Sequence, residues 1–348
     1  MTENRKTLLA ATALALLVLA VFAFFYSRQP HASEPSEPLT ATAFKLNTVV
    51  TITLYDSRDQ AVLDGAMELC DEYERIFSRT LPESELYRLN AGTLPQEDGA
   101  YILSDPLADL VGQGLSYSEL SGGAFDITIG PVSSLWDFTS GTALLPDEEE
   151  ISQALALVDY RQVSLEGNLL RFGMEGMQLD LGAIAKGYIA DRMKDYLIEK
   201  GVGSAIIDLG GNILCLGTRP DDAPFRIGIQ RPFAERSETA AIAQIDGKSV
   251  VSSGIYERFF EKEGKLYHHL LNPRTGYPYE NGLTSVTILS DLSVDGDGLS
   301  TSCFALGLEK GMKLVESLPG VYAAFITEDG KLHFSPGLEE TFSVTLSD

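Results

Sequence analysis

This chain predicts an α+β fold with largely antiparallel sheets and segregated helices. Three observations lead there. Short β-branched, alternating runs recur along its length; long amphipathic stretches of helical period stand apart from them; and no convincing internal repeat links the two. With 348 residues and 44% apolar content, the chain can form one large domain or two small ones.

The N-terminus comes first. Arg5 and Lys6 precede an uncharged apolar run from Leu8 to Tyr26, which as a helix would span roughly 28 Å, close to a hydrocarbon core of about 30 Å. A secretory signal has a shorter apolar region, about 7–15 residues. Residues 1–26 are therefore expected to be an uncleaved membrane anchor in preference to a cleaved signal, for which His31-Ala32-Ser33 is a poor small-residue cleavage site, with Arg5 and Lys6 on the cytoplasmic side and the remaining chain outside the cell membrane. Residues 27–43 hold three prolines and few large apolar side chains, and read as a linker. The catalytic unit is expected over 44–348.

Within it, Thr48–Tyr55 alternates as a strand. Ala61–Phe77 carries Leu63, Met67, Cys70 and Ile76 at helical spacing among acids. Ser84–Asn90 opens a polar segment, and Leu107–Leu120 is a second helix ending at Gly122 and Gly123. Asp180–Tyr188 runs into a helix that Gly201 closes. Strands are expected at Ser204–Leu209 and, after a Gly210-Gly211 turn, at Ile213–Leu216. Further strands are expected at Phe225–Gln230, Ala240–Ile245, Tyr267–Leu271, Leu283–Leu289, Ala323–Thr327 and Lys331–Phe334.

Composition narrows the function. With 26 basic against 50 acidic side chains and a formal net charge of −24, the chain disfavours nucleic acid as a partner. An anionic nucleotide would need local help from a metal or from backbone N–H groups. Cys70, Cys215 and Cys303 are widely separated, lie in apolar contexts and form no metal-ligand spacing.

Asp297 and Thr301 stand i, i+4 at an expected helix start, so their oxygens project from one face. A carboxylate and a hydroxyl so placed suit a hard cation such as Mg²⁺, which leaves coordination positions for phosphate. Tyr267-His-His269 sits on a strand, where neighbours face opposite ways, so only one histidine can face a pocket. Asn272-Pro-Arg-Thr-Gly276 is a tight turn whose Arg274 meets either phosphate or a carboxylate. Asp180-Leu-Gly-Ala183-Ile-Ala-Lys186-Gly187 sets small residues and a lysine at a helix N-terminus, which suits an anion or, equally, close helix–sheet packing. The Walker order is absent. Asp126 either accepts from a ligand or caps a turn, and Asp208-Leu-Gly-Gly-Asn212 is a glycine turn between strands.

Taken together, Gly-Gly-Ala-Phe-Asp-Ile-Thr-Ile-Gly-Pro at 122–131, Asp-Leu-Gly-Ala-Ile-Ala-Lys-Gly at 180–187, Asp-Leu-Gly-Gly-Asn at 208–212, Val-Ser-Ser-Gly at 251–254, His-Leu-Leu-Asn-Pro-Arg-Thr-Gly at 269–276 and Asp-Gly-Leu-Ser-Thr at 297–301 resemble the ApbE family in order and spacing over roughly residues 44–345. The resemblance implies a Mg²⁺-dependent FAD:protein FMN transferase, which moves FMN from FAD to a threonine hydroxyl of an extracytoplasmic flavoprotein and releases AMP. It implies Asp297, Thr301 and the Ala183 carbonyl as metal ligands. Ala124, Phe125, Asp126, Asp180, Lys186 and Leu271 would contact FAD. His269 would lie near the reacting diphosphate as base or phosphate stabiliser, with His268 its outward neighbour.

Two positions depart from the family pattern. Asn272 replaces a usual Asp, removing a carboxylate that would polarise His269 or brace the turn. Leu46-Asn47-Thr48 replaces Met-Gly-Thr at a flavin-facing position. The same residues would also serve a FAD pyrophosphatase giving FMN and AMP, or a non-catalytic FAD-binding protein.

Overall fold

The computed structural model describes residues 37–235 and 237–347. The expected anchor and the first part of the tether lie outside these, and among the described residues no helix is long and apolar enough to cross a membrane.

In chain order, β1 (Leu39–Lys45) and β2 (Thr48–Leu54) form a hairpin. The helices α1 (Gln60–Phe77) and α2 (Glu85–Asn90), the strands β3 (Gln96–Glu97) and β4 (Ala100–Ile102), and the helix α3 (Asp105–Leu120) follow. Next come α4 (Gly130–Ser133), α5 (Glu148–Leu155), β5 (Val163–Glu166), β6 (Leu169–Phe172) and α6 (Ala185–Glu199). The strands β7 (Ala205–Leu209), β8 (Asn212–Leu216), β9 (Phe225–Gln230), β10 (Thr239–Ile245), β11 (Ser249–Gly254), β12 (Phe259–Lys262), β13 (Lys265–His268) and β14 (Leu283–Ser290) then run up to α7 (Ser293–Glu316). The chain closes with β15 (Tyr322–Thr327), β16 (Leu332–Phe334), α8 (Leu338–Phe342) and β17 (Thr345–Leu346).

The main sheet has eight strands in the order β1-β2-β7-β8-β11-β14-β15-β16, and every pairing in it is antiparallel. The expected α+β class with antiparallel sheets is what the chain forms. Strand alternation sends Val50, Ile52, Leu54, Ile207, Leu214 and Phe325 to one face, where they pack on α1, α6 and α7. Cys215, Val250, Leu289, Ala324 and Ile326 point to the other face, against β9, β10 and α8. All of β14 is buried because it is central and covered on both sides.

Helix ends follow from local chemistry. The Asp59 side chain caps α1 by accepting from Ala61 N–H, and Ser104 caps α3 by accepting from Leu107 N–H. Gly201, at φ 81°, closes α6 while Val202 N–H donates back to the Leu197 carbonyl.

Four expectations are corrected. β1 begins at Leu39, inside the presumed 27–43 linker, so the folded body starts before Phe44. An edge strand packs on one face only, and Thr-Ala alternation carries too little apolar signal to stand out beside prolines. Ser84–Asn90 is the capped helix α2 rather than a polar segment, with Leu86 and Leu89 buried beneath it. The strand expected at Tyr267–Leu271 ends at His268, where the turn around Asn272 takes over. His268 does not point outward: it is 4% exposed and packs against Phe304.

Candidate active site

A cavity of about 710 Å³ lies over the helix-covered face, within the ~300–1,000 Å³ range of small-molecule sites. Its wall is assembled from segments far apart in sequence: the β1–β2 turn, the end of α1, the loops at 124–126 and 180–186, the end of β11, the turn after β13, and α7.

At one wall α7 places Asp297 and Thr301 one turn apart, and both line the cavity with Ala183 and Lys186. The Gly187 N–H donates to Asp297 Oδ2 at 2.6 Å. Only glycine permits this approach, because a Cβ at Gly187 would stand 2.3 Å from the Ser293 carbonyl oxygen. Thr301 Oγ1 lies 3.1 Å from Ser253 Oγ. Burial pushes the Asp297 carboxyl above the usual carboxylate range, opposed chiefly by the Lys186 ammonium and then by the Gly187 N–H. The donors facing the cavity here are oxygens, carboxylate and hydroxyl, which suit Mg²⁺ better than a softer metal. Among the described residues no cluster of three or more His, Cys, Asp or Glu side chains converges as a metal centre. A cation here would rest on one carboxylate and neutral oxygens, a sparse set that leaves room for phosphate.

The two histidines diverge where β13 ends, His268 on the strand and His269 just past it. His269 lines the cavity while His268 faces the core, where its Nε2 donates to the Tyr279 carbonyl at 3.0 Å. His269 Nδ1 lies 3.3 Å from the Arg258 carbonyl. A carbonyl only accepts, so Nδ1 carries the proton and Nε2 keeps its lone pair. Desolvation, helped by the Arg258 guanidinium, holds the His269 imidazolium pKa down to about 3. The ring is neutral near pH 7.

Ala124, Phe125, Asp126, Asp180 and Leu271 also line the cavity. Asp126 is engaged on both sides: Oδ1 accepts from the Thr128 N–H and hydroxyl of its own loop, and Oδ2 accepts from the N–H of Tyr160 on a separate segment. Asp180 accepts from Gly182 N–H and from Ser133 Oγ, and pairs with Arg79 at 3.4 Å. Asn272 braces the turn, its Oδ1 accepting from Arg274 N–H at 2.9 Å, so the turn is held without a carboxylate at this position. Arg274 donates to the Gly122 carbonyl at 3.2 Å, and among the described residues it forms no ion pair with a carboxylate. Leu46 lines the cavity at φ 54° beside Asn47 at 55°, the left-handed pair of a two-residue hairpin turn. That conformation is easy for Asn and strained for Leu.

Sequence reasoning missed Arg79, Arg258, Trp136 and Phe138, all of which line the cavity. Arg79 is held by Ser133 and Ser134 at 3.1 and 3.0 Å. Trp136 stacks on Phe138, Phe260 and Tyr267 and donates its indole N–H to the Gly276 carbonyl. The Leu135-Trp-Asp-Phe138 run was the one available signal, an aromatic pair in an otherwise polar loop.

The chain is similar in sequence and fold to known proteins. The ApbE family profile matches residues 46–326. An FAD:protein FMN transferase of Klebsiella pneumoniae (strain 342) is 37% identical over 307 residues, covering 85% of this chain and 93% of that one. One from Treponema pallidum (strain Nichols) is 35% identical over 319 residues, covering 86% and 87%. Among solved structures, the flavin transferase ApbE from Vibrio cholerae superposes with a TM-score of 0.78 at 27% identity, covering 88% of this chain and 99% of that one. The apo flavinyl transferase ApbE of Pseudomonas stutzeri gives 0.76 at 30% identity, covering 88% and 97%.

Proposed function

The chain belongs to the ApbE family and is an FAD:protein FMN transferase, and we propose that its acceptor atom is a threonine hydroxyl of an extracytoplasmic flavoprotein, that AMP leaves, and that Mg²⁺ takes part. One observation supports this most: His269, Lys186, Asp297 and Thr301, drawn from separate segments, line the same cavity.

Asp297, Thr301 and the Ala183 carbonyl would hold the cation, which when bound supplies Lewis acidity toward the diphosphate. Neutral His269 acts as the base. Its Nε2 takes the threonine proton while the threonine oxygen bonds to the FMN phosphorus and the phosphoanhydride bond to AMP breaks. The charge that develops on the departing phosphate falls in a cavity that Lys186 and Arg258 line. An enzyme with a net charge of −24 needs such local cations to admit a dianionic diphosphate. Ala124, Phe125, Asp126, Asp180 and Leu271 shape the walls that seat FAD. Leu8–Tyr26 anchors the chain, with the catalytic body outside the cell membrane.

The deciding experiment mixes full-length protein in detergent with FAD, Mg²⁺ and a candidate flavoprotein domain. Mass spectrometry should find FMN on a threonine with AMP in equal amount. Free FMN without adduct would make the enzyme a FAD pyrophosphatase, and unchanged FAD would make it a binding protein.

A further inference from the structure

Next to the catalytic cavity, two large aromatic rings lie open to water. Phe233, in the loop between β9 and β10, is 53% exposed, and Phe259, which opens β12, is 37% exposed. Their centroids stand 5.8 Å apart, edge to face, and Phe233 meets Tyr256 in the same way at 6.0 Å. With Gln230, Ala234 and Glu257 the three rings line a cleft of about 340 Å³. Phe233 is held at φ 60°, a left-handed conformation that is strained for a bulky side chain. Strained residues gather at ligand clamps, and this one shows its ring to solvent instead of the core. One stretch of chain makes the cleft continuous with the cavity. Tyr256 and Phe259 line the cleft, Arg258 between them lines the cavity, and Glu257 lines both. The Arg258 carbonyl accepts the His269 backbone N–H at 3.1 Å, and Phe259 pairs with His268 across the β12–β13 ladder. Opposed residues of an antiparallel pair stand about 4.5–5.5 Å apart at Cα, so the backbone of Phe259 is a close neighbour of His269.

We propose that the Phe233–Tyr256–Phe259 cleft is a docking site for the acceptor flavoprotein, taking an apolar side chain close in sequence to its reactive threonine. A protein that transfers FMN to another protein must meet that protein around the cavity that holds His269. Neither Phe233 nor Phe259 lines that cavity, so FAD seated there leaves both rings to the second substrate. An extended acceptor segment advances about 3.3–3.6 Å per residue, so a side chain roughly two to four positions from a threonine at His269 reaches the rings. Aromatic anchors of this kind carry most of an interface's binding energy. The proposal rests on the reading that the acceptor brings a threonine to His269.

The test is steady-state FMN transfer by full-length protein in detergent to a flavoprotein domain that the parent modifies, with FAD affinity and melting temperature measured beside it. Phe233→Gly and Phe259→Ala should each raise KM for the acceptor domain by about 10–30-fold, the loss of one aromatic anchor. Both should leave kcat and FAD affinity at parental values. Phe233→Gly separates docking from folding. Glycine accepts φ 60° without strain, so this variant should melt at or above the parental temperature, whereas loss of a ring with a structural task would lower it. Parental acceptor KM in both variants overturns the proposal. So does a parental KM joined to loss of a self-associated form in sedimentation, which would make the cleft a contact between copies of this chain. A raised KM that comes with weaker FAD binding assigns the rings to the FAD site and overturns it too. If the parent itself turns FAD into free FMN and modifies no domain, the acceptor reading has failed and the proposal falls with it. If the parent modifies the domain and the variants do so at parental KM, only the docking site has failed.

Discussion

Gly187 N–H donates to the Asp297 carboxylate at 2.6 Å across 110 residues of sequence, and this joins the starts of α6 and α7. Neither helix has a side-chain cap of its own, since Ile184 and Leu292 precede them. They cap each other instead. Asp297 of α7 takes an N–H of α6, and Asp191 of α6 takes the Ser293 and Val294 N–H groups of α7 at 2.8 and 3.0 Å. The exchange fixes the two elements that carry Lys186, Asp297 and Thr301 before any ligand arrives, so the site is built by the same bonds that end the helices.

Gly187→Ala should therefore damage both fold and site. The added Cβ meets backbone, at 2.3 Å from the Ser293 oxygen and 2.7 Å from the Val294 Cα, which cannot swing aside as a side chain can. Overpacking of this kind costs about 1–3 kcal/mol. A denaturant titration of the full-length chain, run beside a transfer assay, should show lower stability and slower flavinylation of the surviving folded enzyme. Parental values in both would show that the helices can separate without loss.

Asp297→Ala should abolish transfer and remove the dependence on Mg²⁺, because it takes away the carboxylate proposed to hold the cation. Thr301→Ala should hurt less, since water can replace a neutral oxygen ligand. Rates measured across a Mg²⁺ series check both. Near-parental turnover by Asp297→Ala at limiting Mg²⁺ would sink the metal assignment.

The proposed anchor makes a prediction about place. A tethered enzyme meets membrane-bound acceptors at raised effective concentration, so a form released from the membrane should modify them more slowly at equal dose. Protease treatment of spheroplasts should digest the catalytic body. Protection of residues 44–348 inside the cell would overturn the topology and leave the chemistry standing.

Much of this was legible in the sequence for identifiable reasons. The i, i+4 spacing of Asp297 and Thr301 is a property of a single element and emerged as read; His268 and His269 do face different ways, although only His268 lies on β13. Antiparallel strands announced themselves where alternation was strong, as in Thr48–Leu54, and failed to where an edge strand buries one face, as in Leu39–Lys45. Arg79 and Arg258 stayed hidden because their places depend on partners from other segments: Asp180 and Ser133 for Arg79, and the His269 ring, which meets the Arg258 carbonyl. The direction of His268 was misread for the same reason. Phe304 and the Tyr279 carbonyl draw it inward, and both reach it from outside its own strand.

The paired histidines should separate rate from stability. His269→Ala should slow transfer by about 10²–10⁴-fold, the usual worth of a general base, with a melting curve near the parent's. His268→Ala opens a hole beside Phe304 and orphans the Tyr279 carbonyl, costing about 2–4 kcal/mol, while the rate per folded molecule stays close to the parent's. Acidity provides an independent check. Burial lowers the His268 pKa from 6.5 to about 4, and His269 is lowered in the same direction. Their contribution to stability is whole above the unfolded value of 6.5 and is lost as pH falls toward the folded values, because in that window the unfolded chain binds protons that the native protein excludes. The full-length enzyme should lose stability progressively below pH 6.5, and His268→Ala should flatten that slope. Flavin transfer by the parent should show no inflection at 6.5, since His269 is already neutral there. An acid limb centred at 6.5 that vanishes in His269→Ala would mean the imidazole titrates as though exposed, and the base would have to be sought elsewhere.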